Sequence, residues 1–356
     1  MVIFGAGASY DSSPTYPPGG TPPPPGMGDL SPYDDYYRPP LAKDLFADRP
    51  LFIQSLDQFP QCKSIVPRLR DPAVIRGQTS IETRLQEIEE EARTYHRGAQ
   101  ELAAVRCYLQ SAISQCEMHW QATTRGITNY QTLLREIERT HIGDGPVCLV
   151  TFNYDTLLES ALEQFGLRIG HMEHYTQNPS LFRIFKLHGS VNWGQEAEIH
   201  PPQNVNREHP PSVLRYMIEN AAQLQVSDRF VLCERGRMGV VNNRPVFPAI
   251  AIPVERKRRF QCPRYMIEHL VEMLPLVTKI MIIGWRATED NFLDLLGQHL
   301  RPGAYISIVA GNHSEAEKIS ARLDRALLTK PPSCSSERMG FTDFMRTRRA
   351  EQILAG

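Results

Sequence analysis

At 356 residues, with 41% hydrophobic and 22% charged side chains, the chain can fill the core of one large α/β domain with an elaborated second lobe. A formal net charge of −1 gives no global pull towards nucleic acid or a membrane surface. The seven cysteines (62, 107, 116, 148, 233, 262 and 334) include no closely spaced pairs, which argues against a disulfide framework and against a zinc ribbon.

Val2-Ile3-Phe4 reads as a short buried strand running into Gly5-Ala6-Gly7. No cationic start precedes it, as a signal peptide would have, and no apolar stretch is long enough to span a bilayer, so a cytoplasmic protein is expected. Residues 12–40 are rich in proline, glycine and tyrosine and read as an irregular loop, either a disordered insertion or a lid. Residues 79–140 read as an inserted helical module, with capping boxes expected at Thr79/Glu82 and Thr128/Gln131. From 147 onward the pattern alternates. Val147–Val150 is a strand, Thr156–Phe165 a helix closed by Gly166, and Arg183–Leu187 a strand with His188 at its end. Residues 195–243 read as polar and irregular, with a short helix near 212–223, followed by an apolar stretch from Val246 to Val254. A helix over 263–275 leads to a strand at Lys279–Ile283, a helix from Thr288, a strand at Tyr305–Val309 and a helix capped by Ser314. Phe341–Leu354 reads as one amphipathic helix. Strands alternating with helices give an α/β fold class: a Rossmann-like, mostly parallel sheet with helices on both faces and an inserted helical module. Two basic runs, Arg256-Lys257-Arg258-Arg259 and Arg346 with Arg348 and Arg349, read as solvated surface.

Five polar constellations fall at strand ends, where doubly wound sheets bind ligands. Gly5-Ala6-Gly7-Ala8-Ser9 offers glycines that permit close approach of a pyrophosphate, with turn amides to receive it. Thr151-Phe152-Asn153-Tyr154-Asp155 puts Asn153 and Asp155 on either side of Tyr154, and Asp155 also suits a helix cap. Lys186-Leu187-His188-Gly189-Ser190 carries an imidazole whose unperturbed pKa of about 6.5 suits proton transfer near neutrality. Gly284-Trp285-Arg286-Ala287-Thr288-Glu289-Asp290 and Val309-Ala310-Gly311-Asn312 complete the series. The first loop lacks the third glycine and the acidic strand end of a dehydrogenase, and runs instead into the proline-rich stretch.

In this order the five motifs resemble the sirtuin-like NAD-binding domain, in particular the bacterial branch that degrades NAD in antiphage defence. Arg38-Pro39-Pro40-Leu41-Ala42-Lys43-Asp44-Leu45 is similar to the segment after the glycine loop in that branch. The resemblance implies a catalytic domain over 1–330, which takes in the 12–40 loop and the 79–140 helices, and a C-terminal element over 331–356 that serves assembly. It implies NAD+ as substrate, Asn153 and His188 as catalytic residues, and no zinc. Gly5, Ala6, Gly7 and Ser9 would line the phosphate and ribose site, Asp155 the nicotinamide ribose, and Gly284, Thr288 and Asn312 the adenosine half. Deacylating sirtuins carry four paired cysteines and a G-I-P-D-F-R-like stretch. This chain has no such pairs and offers Ser13-Pro14-Thr15 followed by prolines, which favours water as the acceptor. The alternatives are a protein deacylase and a non-catalytic sensor of NAD or ADP-ribose. By the same resemblance the protein is a homo-oligomer switched on by a separate partner, an HerA-type ATPase or a short Argonaute-type protein, with no direct contact to nucleic acid.

Overall fold

Apolar runs too short for a helix, such as Val147-Cys148-Leu149-Val150, become strands buried on both faces. The computed structural model describes residues 1–19, 34–95, 97–141, 145–203, 205–234, 237–254, 259–328 and 333–355. Residues 20–33 of the proline-rich stretch and 256–258 of the first basic run lie outside them. In chain order the strands are β1 (Val2–Phe4), β2 (Val147–Thr151), β3 (Phe182–Lys186), β4 (Gly189–Ala197), β5 (Val226–Leu232), β6 (Val240–Val241), β7 (Arg244–Ile250), β8 (Lys279–Ile283), β9 (Tyr305–Val309) and β10 (Ser333–Glu337). They fall into two units, one of Met1–Pro39, Glu117–Leu187 and Arg264–Gly356, the other of Pro40–Cys116 and His188–Pro263.

In the first unit six strands form an all-parallel sheet in the order β10-β9-β8-β1-β2-β3. Helices lie on both of its faces, as expected of the Rossmann-like class. The strands β1-β2-β3 run one way from the centre and β8-β9-β10 the other. The order therefore reverses between β1 and β8, where such sheets open a crevice at the strands' carboxyl ends. β1 is central: Val2 pairs with Leu149 of β2 on one side and Met281 of β8 on the other. β10 is an edge strand of sequence Ser-Cys-Ser-Ser-Glu and is mostly exposed, so no apolar run marks it in the sequence.

Local signals are shifted in three places. Ser80, not Thr79, caps the helix Ile81–Ala92 by accepting from the Thr83 amide at 2.9 Å. Asn312, not Ser314, caps the helix His313–Ala326, its Oδ1 accepting from the Glu315 amide at 3.0 Å. The C-terminal stretch forms two helices, Phe341–Arg346 and Arg349–Ala355, because Arg348 adopts a left-handed φ of 57° between them. At Thr128, Gln131 Oε1 does accept from the backbone amide, at 3.1 Å, and so starts the helix Asn129–Thr140 as read.

The second unit holds a four-stranded sheet in the order β5-β4-β7-β6, whose pairs are antiparallel. Trp193 of β4 is fully buried and meets Phe230 of β5 edge-on at 6.0 Å. Phe46 stacks on Tyr108 at 5.0 Å, and the Tyr108 hydroxyl donates to the Leu45 carbonyl. Gln110 donates to the Val191 carbonyl at 2.8 Å, which ties the helical residues to β4.

Candidate active site

The first candidate feature is the pair of turns that follow β1 and β8. Gly5 donates its amide to the Ile283 carbonyl at 3.0 Å, and Gly7 donates to the Gly284 carbonyl at 3.1 Å. A Cβ on Gly5 would sit 2.5 Å from the Gly284 oxygen, and one on Gly284 would sit 2.3 Å from the Ala8 nitrogen. Gly284 also has a left-handed φ of 63°. Here the glycines permit contact between two strand-end turns, and the Gly5 and Gly7 amides are committed to that contact. Ala6 and Gly7 are half-buried, and Ser9 is buried in the one-turn helix Ala6–Tyr10.

Asn153 lies past the end of β2, beside β1. It is buried, and its backbone amide donates to Thr151 Oγ1 at 3.1 Å. Its Nδ2 donates to Ser9 Oγ at 2.8 Å and to the Tyr130 hydroxyl at 3.2 Å, while those two hydroxyls are 3.0 Å from each other. The Asn153 Oδ1 is buried with no hydrogen-bond partner among the described residues. Tyr130, in the first turn of the helix Asn129–Thr140, is packed edge-on against Phe4 and Phe341. Burial, reinforced by the Asp155 carboxylate, pushes its phenol well above the ordinary range, so it stays protonated. The sequence reading missed Tyr130, and a buried tyrosine one residue inside a capped helix carries no distinguishing signal.

Asp155 is buried and its Oδ1 accepts from the Leu157 amide at 3.2 Å, but the helix is Leu157–Leu162 and Thr156, not Asp155, stands at its N-cap. Its carbonyl accepts from Lys186 Nζ at 2.5 Å. Lys186 is fully buried and pairs with Glu159 Oε1 at 3.0 Å, which also receives the Tyr175 hydroxyl at 3.1 Å. Thr156 donates its amide and its hydroxyl to Glu117, at 2.9 and 2.5 Å. The loop after β2 is thus held by buried charges on both sides of Asp155. A lone lysine in the apolar run Phe182-Arg183-Ile184-Phe185-Lys186-Leu187 could have signalled this, since lysine is almost never fully buried unless paired.

The last register pair of β2 and β3 is Thr151 with Lys186. Asn153 and His188 each stand two residues beyond it along their own strands. His188 begins the second of the two chain segments that make up the second unit. It is buried, and its carbonyl accepts from the Ala251 amide at 2.9 Å. Gly189 has a φ of 80°, and a Cβ there would fall 1.9 Å from the Ala249 oxygen, so the residue after His188 must be glycine. Thr288 is exposed and donates to Glu289 Oε2 at 3.3 Å; the same oxygen receives Trp285 Nε1 at 2.5 Å. Trp285 stacks on Phe152 at 5.1 Å and 10°. Asn312 is exposed and serves as the cap described above.

The structure therefore gathers Ser9, Asn153 and Tyr130 into one network and sets Gly5 and Gly7 against Gly284. Thr288 and Asn312 share the carboxyl edge of the sheet without joining that network. A separate cavity of about 330 Å³ in the second unit, lined among others by Glu196, Arg207, Val213 and Arg244, contains none of the candidates. Among the described residues no group of three or more His, Cys, Asp or Glu is placed to hold a metal ion, and no helix is long and apolar enough to cross a membrane.

Residues 147–209, which include both Asn153 and His188, match the family model described as a SIR2-like domain. Among solved structures the chain is similar to a crystal structure of a Sir2 homologue–NAD complex, at 12% identity over 99% of this chain and 90% of that one, with a TM-score of 0.38. It is also similar to Sir2 bound to acetylated peptide, at 12% identity over 64% of this chain and 71% of that one, with a TM-score of 0.34. No curated protein matches the chain in sequence.

Proposed function

We propose that this chain hydrolyses NAD+ at the nicotinamide–ribose bond, giving nicotinamide and ADP-ribose. One observation supports the reading above the others: the SIR2-like match spans the two neighbouring strand ends that carry Asn153 and His188. The residues fit such a substrate. A buried amide oxygen without a partner costs about 1–3 kcal/mol, and a donor on a bound ligand removes that cost.

On this reading the nicotinamide departs as a neutral ring, taking the electron pair of the broken C–N bond, so no acid is needed to protonate it. The site's work is to orient the ribose, stabilise an oxocarbenium-like carbon and place water. Asn153 holds a ribose hydroxyl or the water. His188 accepts the water's proton as the oxygen bonds to the ribose carbon. Gly5, Ala6 and Gly7 shape the wall nearest the phosphates, and Ser9 acts through Asn153. Asp155 fixes the loop beside the nicotinamide ribose, and Gly284, Thr288 and Asn312 border the adenosine half. The resemblance extends the proposal to an oligomeric antiphage effector that depletes NAD when a separate sensor protein activates it.

Purified protein given NAD+ alone, and then with the product of the neighbouring gene, should release nicotinamide and ADP-ribose in equal amounts. Asn153→Ala and His188→Ala should each slow release on the order of 10²–10⁴-fold with an unchanged circular dichroism spectrum. Release only in the presence of an acylated peptide would assign a deacylase instead. Thermal stabilisation by NAD+ without release would assign a sensor.

A further inference from the structure

The donor count of the three-way contact between Asn153, Ser9 and Tyr130 favours an amide nitrogen that faces the two hydroxyls. The two hydroxyls lie 3.0 Å apart, and a hydrogen bond between them uses one of their two protons. At most one hydroxyl proton is left for Asn153. An amide oxygen turned towards the pair would then face one donor and one bare lone pair. The amide nitrogen lies within hydrogen-bond reach of both oxygens, at 2.8 and 3.2 Å, and donates to them without drawing on a hydroxyl proton. The oxygen is thereby turned away, buried and without a partner among the described residues.

We infer that Tyr130 is a positioning residue, which together with Ser9 locks the Asn153 amide so that it presents an acceptor and therefore takes a hydrogen-bond donor from the substrate. Its phenol suits the task. Burial keeps it protonated, and the ring is fixed between Phe4 at 5.1 Å and Phe341 at 5.7 Å. Without the phenol the Ser9 hydroxyl is free to donate to a rotated amide, and the amide can present its NH₂ where the oxygen had been. A locked acceptor selects a hydroxyl or water over a carbonyl or phosphate oxygen at that point. This deepens the hydrolase reading of Asn153 and rests on it.

Tyr130→Phe keeps the ring packing and removes only the hydroxyl. It should lower kcat for NAD+ ten- to a hundredfold while KM moves less than threefold and the melting temperature is retained. Ser9→Ala should shift kcat in the same sense. In protein labelled with ¹⁵N-asparagine, the Asn153 side-chain pair, assigned by its loss in Asn153→Asp, should move or broaden in Tyr130→Phe. Wild-type kcat in both variants, or an Asn153 amide signal that does not move, overturns the inference. So does a fall in kcat matched by equal changes in KM and melting temperature, which marks a structural role. If the parent protein releases no nicotinamide, the hydrolase reading fails, while the amide signal still decides whether Tyr130 holds Asn153.

Discussion

Asp11 shows how a single buried carboxyl can be read for its pH behaviour. It accepts from the Thr342 amide at 3.0 Å and from the Thr342 hydroxyl at 2.5 Å, and burial still raises its pKa above 3.8. A raised carboxyl pKa means that the folded state binds the proton more tightly than the unfolded chain does. Its contribution is therefore fully present below the unfolded value near 3.8 and is lost as pH rises through the folded value. Asp11→Asn cannot titrate, so the melting temperature of the parent relative to the variant should fall as pH is raised from about 4 towards neutrality. A parallel pair of curves would mean that Asp11 titrates the same way in both states. At this scale the sequence offers candidates where residue types are distinctive: an N-x-D after a strand marks Asn153, and a histidine before a glycine marks His188. It was silent on Tyr130, whose two hydrogen-bond partners are brought to it from positions 9 and 153 by the sheet.

Between residues and the molecule stand the contacts that lock one element to the next. Lys186 at the end of β3 reaches Glu159 on the helix after β2 and the Asp155 carbonyl between them. Both side chains are almost entirely out of water, at 0% and 9% exposure, so losing either partner strands a charge. Lys186→Met should destabilise by about 3–5 kcal/mol in urea unfolding, and adding Glu159→Met should recover most of that. A double variant no more stable than the single would show that the ion pair itself is not the source. Five of the six parallel strands were readable as elements because their sequences are mostly apolar, whereas Ser-Cys-Ser-Ser-Glu of β10 was not. The sheet of β4 to β7 was not readable. Register shifts between Gly189 and Gly194 and between Gln195 and Ala197 break the alternation that would have marked β4, and β5 is largely half-exposed. Helix starts shifted by one or two residues where Ser80 or Asn312 outcompeted a neighbouring hydroxyl.

Within the first unit the C-terminal helices close on the segment that follows the glycine turn. Thr342 bonds Asp11, Arg346 donates to the Pro14 carbonyl at 2.6 Å, Arg139 pairs with Glu351 at 2.6 Å, and Phe341 packs on Tyr130. Phe341 and Phe344 are buried, each worth roughly 1.5–3 kcal/mol of stabilisation. Ending the chain at residue 340 should therefore lower the melting temperature by about 10 °C or more. An unchanged melting curve would make the stretch a free appendage. The sequence showed an amphipathic stretch here but not its docking surface, because the partners at 11–14 and 130–139 lie some two to three hundred residues upstream.

The central strand of the sheet has a further consequence in time. Val2 of β1 pairs with Met281 of β8, so one of the two neighbours of β1 is synthesised long after it. At the usual pace of roughly 5–20 residues per second, about 15–60 s of synthesis separate the two. Until then the glycine turn has no second turn to close against. A nascent or prematurely terminated chain therefore cannot bring the two glycine turns together, and their contact forms only once β8 has been made.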